Sequence, residues 1–282
     1  MKPDGAPTIA VIIPTFNRAA LAAEALKSVL EQTFTDFECV VVDDGSTDGT
    51  CDQLDVSDER VCLLRLERNM GVSAARNRGV AATRAPWIAF LDSDDFWHSR
   101  KLELQMEFLR AHPQLRICQT EDVWIRHSVR VNPMRKHAKG EGDCFARSLE
   151  LCVISPSTVM LSRGLFEETG GFDESLPVCE DYDLWLRIAC REPVGLIKEP
   201  LATRRGGHAD QLSSSELVMD RFRIRAIDKL LSAGCLNAEQ TQQAVAELER
   251  KCRIVAHGAE KRGKQDEAES MRQLAAKWRA RD

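Results

Sequence analysis

Residues 87–96, Trp87-Ile88-Ala89-Phe90-Leu91-Asp92-Ser93-Asp94-Asp95-Phe96, join a short apolar run to three carboxylates. The run has the length and character of a strand buried on both faces, as in a parallel sheet. The carboxylates then sit at the strand's C-terminal end, where open α/β sheets bind their ligands. Acids this crowded repel one another, so either a cation neutralises them or they splay into water. As hard oxygen donors they suit a divalent ion such as Mg²⁺ or Mn²⁺. Taken alone, Asp-Ser-Asp-Asp is also a common surface string, and its surroundings choose between the readings.

Upstream of this stretch, strands and helices alternate. Residues 8–13 (Thr-Ile-Ala-Val-Ile-Ile) read as a buried strand stopped by Pro14. Asn17 is the expected N-cap of a helix over residues 19–32, with Leu21, Ala25 and Val29 at helical spacing. A second strand, 38–42, runs into the turn-rich Asp43-Asp44-Gly45-Ser46-Thr47-Asp48-Gly49, and a short helix follows. A third strand, 61–66, leads through Asn69-Met70-Gly71 to a helix over 73–83 capped by Ser73. Downstream, residues 99–111 place Leu102, Met106 and Leu109 on one helix face. The order βαβαβαβα with short connections predicts a parallel, doubly wound sheet.

The second half is less regular. Strands are expected at 116–125, 157–162 and 194–201, with one helical turn at 164–169 closed by Gly170-Gly171. Residues 179–190 form a helix, with Tyr182, Trp185, Leu186 and Ala189 on one stripe. Residues 126–142 read as a long basic loop carrying Arg126, Arg130, Arg135, Lys136 and Lys139. Such loops serve as lids or bind a second substrate. From residue 214 onward the chain reads as helical.

Composition removes several classes. A chain of 282 residues with 43% hydrophobic residues supports a real core. A net charge of -5 with both signs interspersed argues against a nucleic-acid partner. The first residues lack the run of a signal peptide, and no stretch approaches the ~20 apolar residues of a membrane helix. The expectation is a soluble, cytoplasmic protein, with peripheral contact at the inner face of a membrane as its only membrane association. The ten cysteines are scattered, with no Cys-x-x-Cys, and read as reduced core thiols. No Gly-x-Gly-x-x-Gly follows the first strand and no Gly-Lys-Ser/Thr is present, so a dinucleotide fold and a Walker loop are both excluded.

The remaining candidates lie at predicted strand ends. Asp43 can accept hydrogen bonds from a base or ribose. Gly71 and Ser73 begin a helix whose N-terminus favours an anion, and Arg76 is placed to meet a pyrophosphate or a base. Glu180 and Asp181 open an apolar helix, as caps or as a rigidly held general base.

Together, Ile13-Pro14-Thr15-Phe16-Asn17-Arg18, Val41-Val42-Asp43-Asp44-Gly45-Ser46, the segment 69–79, Phe90-Leu91-Asp92-Ser93-Asp94-Asp95, Gly170-Gly171-Phe172-Asp173-Glu174-Ser175 and the segment 180–187 occur in an order that resembles the family 2 glycosyltransferases of the GT-A fold. The resemblance covers residues 8–213. It implies an α/β GT-A domain with a mainly parallel central sheet flanked by helices. That domain would comprise a nucleotide-binding half (1–115) and an acceptor-side half (116–213), followed by a helical C-terminal extension (214–282). It further implies that Pro14, Thr15, Asn17, Asp43, Arg76 and Asp92 contact the sugar nucleotide, that Asp94 and Asp92 bind Mn²⁺ or Mg²⁺, and that Asp181 is the catalytic base, with Glu180 as its competitor. His208, in Gly206-Gly207-His208, falls where family members often place a histidine near the metal.

The implied reaction is an inverting transfer of a sugar from a nucleoside-diphosphate sugar, with UDP the family's commonest carrier, to a hydroxyl of a saccharide or lipid-linked acceptor. Cell-surface polysaccharide or glycoconjugate synthesis is the expected setting. The alternative is a catalytically inactive nucleotide-sugar-binding assembly partner of the same fold. A nucleotidyltransferase would want a glycine-rich basic loop after the first strand, which Pro14-Thr15-Phe16-Asn17 is not. The C-terminal helices are expected to pack on the core, with homodimerisation as the other use of their apolar faces.

Overall fold

The computed structural model describes residues 5–131, 137–207 and 219–280. Four strands, β1 (Ile9–Thr15), β2 (Phe37–Asp43), β3 (Val61–Arg65) and β4 (Trp87–Phe90), pair in parallel in the order β3-β2-β1-β4. The expected parallel half is therefore present, with the stretch 87–90 as its fourth strand. The second half extends the same sheet with mixed pairings. β8 (Val159–Ser162) runs antiparallel to β4, and β6 (Ile117–Arg126) antiparallel to β8. β9 (Gly195–Gly206) then runs parallel to β6, and β5 (Phe96–Trp97) antiparallel to β9.

Period-2 alternation explains how the central strands bury both faces. Ala10, Ile12, Val40, Val42, Ile88 and Phe90 point to one face. Helices α3 (Val72–Ala81), α6 (Arg163–Glu168) and α7 (Glu180–Ala189) cover it. Ile9, Val11, Ile13, Cys39, Val41 and Ala89 point to the other face, beneath α1 (Ala19–Leu30) and α4 (Lys101–Ala111). Gly79 shows how closely α3 lies on the sheet: a Cβ there would stand 2.5 Å from Cγ2 of Ile12 and 3.0 Å from Cγ2 of Val42.

Helix α7 is apolar on two sides. Leu184, Trp185 and Ile188 face the sheet, while Tyr182, Leu186 and Ala189 join a second core. That core is completed by α5 (Phe145–Glu150), α8 (Met219–Ser232), α9 (Ala238–Lys261) and α10 (Gln265–Arg279) through Leu149, Ile227, Leu230, Leu248, Val255 and Trp278. The extension packs on the α/β body, as expected of it.

Three local expectations are corrected. Residues 126–142 are not a loop throughout: β7 (Val129–Val131) folds back on β6 as a hairpin whose turn holds His127 and Ser128 at positive φ. Asn17 does not cap α1; it lies at φ 53, and Arg18 takes the cap position without a capping hydrogen bond from its own side chain. Ser73 is likewise inside α3, whose cap position is Gly71. No described helix is long and apolar enough to cross a membrane.

Candidate active site

The C-terminal ends of β1, β2 and β4 meet at one edge, and short polar contacts knit their loops. Asn17 donates its backbone N–H to Ser46 Oγ (2.8 Å), and its Oδ1 accepts from the Thr47 N–H (2.8 Å). The left-handed turn at Asn17 thus ties the loop after β1 to the loop after β2. The wholly buried Asp43 accepts from the Ser46 N–H (3.1 Å) and the Cys51 thiol (2.8 Å). Asp44 accepts from the N–H groups of Met70 and Gly71, both at 2.8 Å, which brings in the loop after β3. Burial pushes its carboxyl above the usual range, against the pull of those two donors. Gly45, at φ +77, lets this turn pass the Arg68 backbone, which a Cβ would meet at 2.5 Å. Pro14 and Thr15 pair with Val42 and Asp43 across β1 and β2, and Thr15 Oγ1 is a buried hydroxyl without a hydrogen-bond partner among the described residues.

The three carboxylates after β4 take different surroundings. Asp92 accepts from Arg76 Nη2 (2.6 Å) and Asp94 from Arg18 Nη1 (3.2 Å). Asp95 is buried, accepting from the Arg205 N–H (2.9 Å) and Ser157 Oγ (2.6 Å). Ser157 Oγ also accepts from the Asp92 N–H (3.2 Å). Burial, with Asp94 and Asp92 close by, pushes the Asp95 carboxyl up to about 8. Asp95 therefore fixes the turn that presents its two neighbours.

Arg76 is 3% exposed and lies between two acids, Asp92 on one side and Glu180 Oε1 (2.8 Å from Nη1) on the other, above the Phe172 ring at 4.9 Å. This differs from the expectation of an arginine reaching a pyrophosphate: Ala74, Ala75 and Gly79 let α3 sink against the sheet and carry Arg76 inside with it.

Glu180 and Asp181 separate at the start of α7. Cys179 adopts φ 61, a strained left-handed position for a residue with a Cβ, and turns the chain into the helix. Glu180 then points inward to Arg76 while Asp181 faces a cavity of about 300 Å³. Asp181 Oδ1 accepts from the Tyr182 N–H (2.6 Å), and Oδ2 accepts from the Cys152 thiol (3.3 Å). Burial, and then Asp181, raise the Glu180 carboxyl against the opposing pull of Arg76. Asp183 is buried and paired with Arg187 (2.6 Å) and Lys229 (2.6 Å).

Asp181 is the one carboxylate among the described lining residues of that cavity, beside Arg126, Lys139, Arg204, Arg205 and Arg223. Met219 and Arg223 come from α8, so the C-terminal helices supply part of the wall. Lys139 is buried against Asp122 (3.2 Å), and burial lowers its ammonium from the usual lysine range. Burial works against the charge of Arg204 too, but Asp95, Asp122, Asp92 and Asp181 hold it firmly protonated.

A divalent cation fits the donor chemistry of Asp92 and Asp94. Both offer hard carboxylate oxygens, and a guanidinium already stands as positive charge beside each. Among the described residues no three His, Cys, Asp or Glu side chains converge as a complete metal site. A cation there would take its remaining ligands from diphosphate oxygens and water, as Mg²⁺-type sites do. His208 lies outside the described residues. Sequence reasoning missed Arg205, Ser157 and Cys152, whose contacts with Asp95 and Asp181 bridge 29 to 110 residues and leave no local pattern, and it missed Arg223 on the cavity wall. Arg18 stood within a recognised motif and could have been named.

Comparison with known proteins agrees with this architecture. The chain is 34% identical over 207 residues to an uncharacterised glycosyltransferase of Rickettsia conorii, covering 70% of this chain and 32% of that protein. It spans about a third of the length of this relative and of a similar one from Rickettsia felis. It is 32% identical over 181 residues to the Escherichia coli UDP-Glc:alpha-D-GlcNAc-diphosphoundecaprenol beta-1,3-glucosyltransferase WfgD, covering 64% of this chain and 69% of WfgD. Among solved structures, residues 1-349 of Staphylococcus aureus TarS in complex with UDP-GlcNAc superpose with a TM-score of 0.70 at 17% identity, covering 96% of this chain and 91% of that one. The mannosyltransferase PcManGT of Pyrobaculum calidifontis, in complex with GDP-Man and Mn²⁺, gives a TM-score of 0.58 at 19% identity, covering 99% and 84%. These two likenesses bear on the fold, which is the expected GT-A arrangement. The family model "Glycosyl transferase family 2" matches residues 10–170, more than half of the 282: the chain belongs to glycosyl transferase family 2.

Proposed function

We propose that the protein is a metal-dependent, inverting glycosyltransferase that uses a nucleoside-diphosphate sugar, with UDP as the carrier, and a saccharide or lipid-linked acceptor. The observation that carries this reading is the single buried guanidinium of Arg76. It holds Asp92, at the end of β4, and Glu180, at the start of α7, to one side of the sheet, while Asp181 next to Glu180 opens on a cavity.

The acidic loops after β1, β2 and β4 take the donor. Asp43 and the unpartnered Thr15 hydroxyl receive the nucleoside, with Pro14 and Asn17 shaping the loop over it. Asp94 and Asp92 hold a divalent cation, which when bound neutralises charge on the departing diphosphate. Arg76 keeps Asp92 in place rather than reaching the diphosphate itself.

The acceptor enters the cavity. Its hydroxyl oxygen forms a bond to the anomeric carbon as the bond from that carbon to the diphosphate oxygen breaks. Asp181 takes the hydroxyl proton late, when the oxygen has become acidic, so a carboxylate suffices. Positioning both substrates supplies much of the remaining rate enhancement. Glu180 is the weaker candidate for the base because Arg76 occupies its carboxylate.

For the acceptor, the named activity of WfgD on a diphosphoundecaprenol-linked sugar and the cationic cavity wall point the same way, to a phosphate-bearing acceptor of cell-surface glycan assembly. A thermal-shift screen of UDP, GDP, dTDP and their sugar forms, with and without Mn²⁺, tests the donor reading. A ligand bound only by the folded chain raises its melting temperature. UDP with Mn²⁺ should raise it most, and a protein indifferent to every nucleoside diphosphate would overturn the proposal.

A further inference from the structure

We infer that Cys152 is a positioning residue for Asp181: its thiol holds the carboxylate toward the cavity and releases it when the carboxylate takes a proton. This rests on the reading of Asp181 as the base. Asp181 is fixed at two points, Oδ1 by the Tyr182 N–H at 2.6 Å and Oδ2 by Cys152 Sγ at 3.3 Å. The first donor belongs to α7 itself. The second comes from the segment between α5 and β8, 29 residues away, so it ties the helix start to a separate segment lining the cavity.

Cys152 Sγ has a second acceptor at 3.3 Å, the carbonyl oxygen of Ile154. A thiol carries one proton and can serve one acceptor at a time. While Asp181 is ionised, the charged oxygen attracts that proton more strongly than a neutral carbonyl does. Once Asp181 has accepted the acceptor's hydroxyl proton, the preference vanishes and the thiol turns to Ile154 without leaving a buried donor unpaired. No proton leaves sulfur at any stage, because burial and the neighbouring Asp181 charge raise the thiol well above its ordinary range. Serine would preserve one rotatable donor and alanine would not.

Two measurements test this on the full-length protein. The first needs no substrate. Alkylation of Cys152 by iodoacetamide, followed by peptide mass mapping at pH 8, should run about three- to tenfold faster in Asp181→Asn than in the wild type, because removing the negative charge frees the thiolate. Equal rates would show that no such contact exists.

The second measurement compares Cys152→Ala and Cys152→Ser for release of UDP from whichever of UDP-glucose, UDP-galactose and UDP-N-acetylglucosamine the wild type turns over with Mn²⁺. Cys152→Ala should lose about tenfold in kcat at unchanged donor KM, and its acidic limb should move to higher pH, because an ionised carboxylate has lost a donor. Cys152→Ser should stay within about threefold of the wild type. An unchanged UDP-induced rise in melting temperature checks that each variant folds. Wild-type kcat and an unmoved acidic limb in Cys152→Ala would refute the positioning role while leaving Asp181 as the base. Full turnover in Asp181→Asn would instead remove the base assignment on which the inference rests.

Discussion

Two clusters of three acids stand on either side of Arg76 and use their charges differently. After β4, Asp92 and Asp94 are each met by a guanidinium, and the buried Asp95 is spent on holding the turn. At the start of α7, Glu180 and Asp183 are buried against cations and hold the helix, and Asp181 alone reaches the cavity. A strand end splays consecutive side chains to alternate sides, so one short segment can offer two carboxylates to a common ligand. A helix start rotates each side chain by about 100°, so adjacent acids face different surroundings. The first geometry suits sharing a cation, and the second suits isolating one base.

The largest effect should come from replacing the isolated acid. Asp181→Asn is expected to lower transfer by about 10³-fold, since positioned general bases contribute on this scale. A steady-state assay with the donor selected by thermal shift would check it, and near-wild-type turnover would break the contrast between the clusters.

Arg76→Met comes next and strikes both clusters at once. Removing the guanidinium leaves Glu180 buried without a counter-charge, a change that costs about 3 kcal/mol. The melting temperature should fall by about 6–12 °C for a chain of this size. Adding Glu180→Gln should restore part of that loss, as expected for coupled neighbours. Strict additivity would mean that Arg76 does not link the clusters.

The smallest effect sharpens the comparison within α7. The Glu180 carboxyl is raised by burial, so the folded chain keeps a proton that the unfolded chain has released above pH ~4.3. Where the native state binds more protons, stability falls as pH rises. Glu180→Gln should therefore be relatively more stable at pH 8 than at pH 4, by no more than about 3 °C, with turnover within about threefold. Melting curves across that range would expose an opposite slope.

The parallel half of the fold was legible because its strands are continuous apolar runs, Ile9-Ala10-Val11-Ile12-Ile13 being the clearest, and each ends in turn chemistry. The second half was harder. β6 and β9 alternate sharply and carry register shifts around Glu121, so their polar residues blur the pattern. β9 extends to Gly206, beyond the expected end at 201, because Arg204 and Arg205 sit in the sheet while their side chains work at the site. Asp43, Asp92, Asp94 and Asp181 were legible as candidates because strand ends and helix starts are visible in a sequence. Arg76 was picked out for its position, but its burial was not foreseen: the small residues of α3 that sink it into the core look like ordinary helix formers. The pairing of Cys152 with Asp181 depends on the closure of the chain in three dimensions and has no local signal.

The division of labour between the clusters is tested most directly by calorimetric titration of UDP with Mn²⁺ into the wild type, Asp94→Ala and Asp181→Asn. The account predicts that Asp94→Ala weakens UDP binding by about tenfold or more and loses its dependence on Mn²⁺, while Asp181→Asn binds within about twofold of the wild type. Wild-type, Mn²⁺-dependent affinity in Asp94→Ala, or an equal loss in both variants, would contradict it.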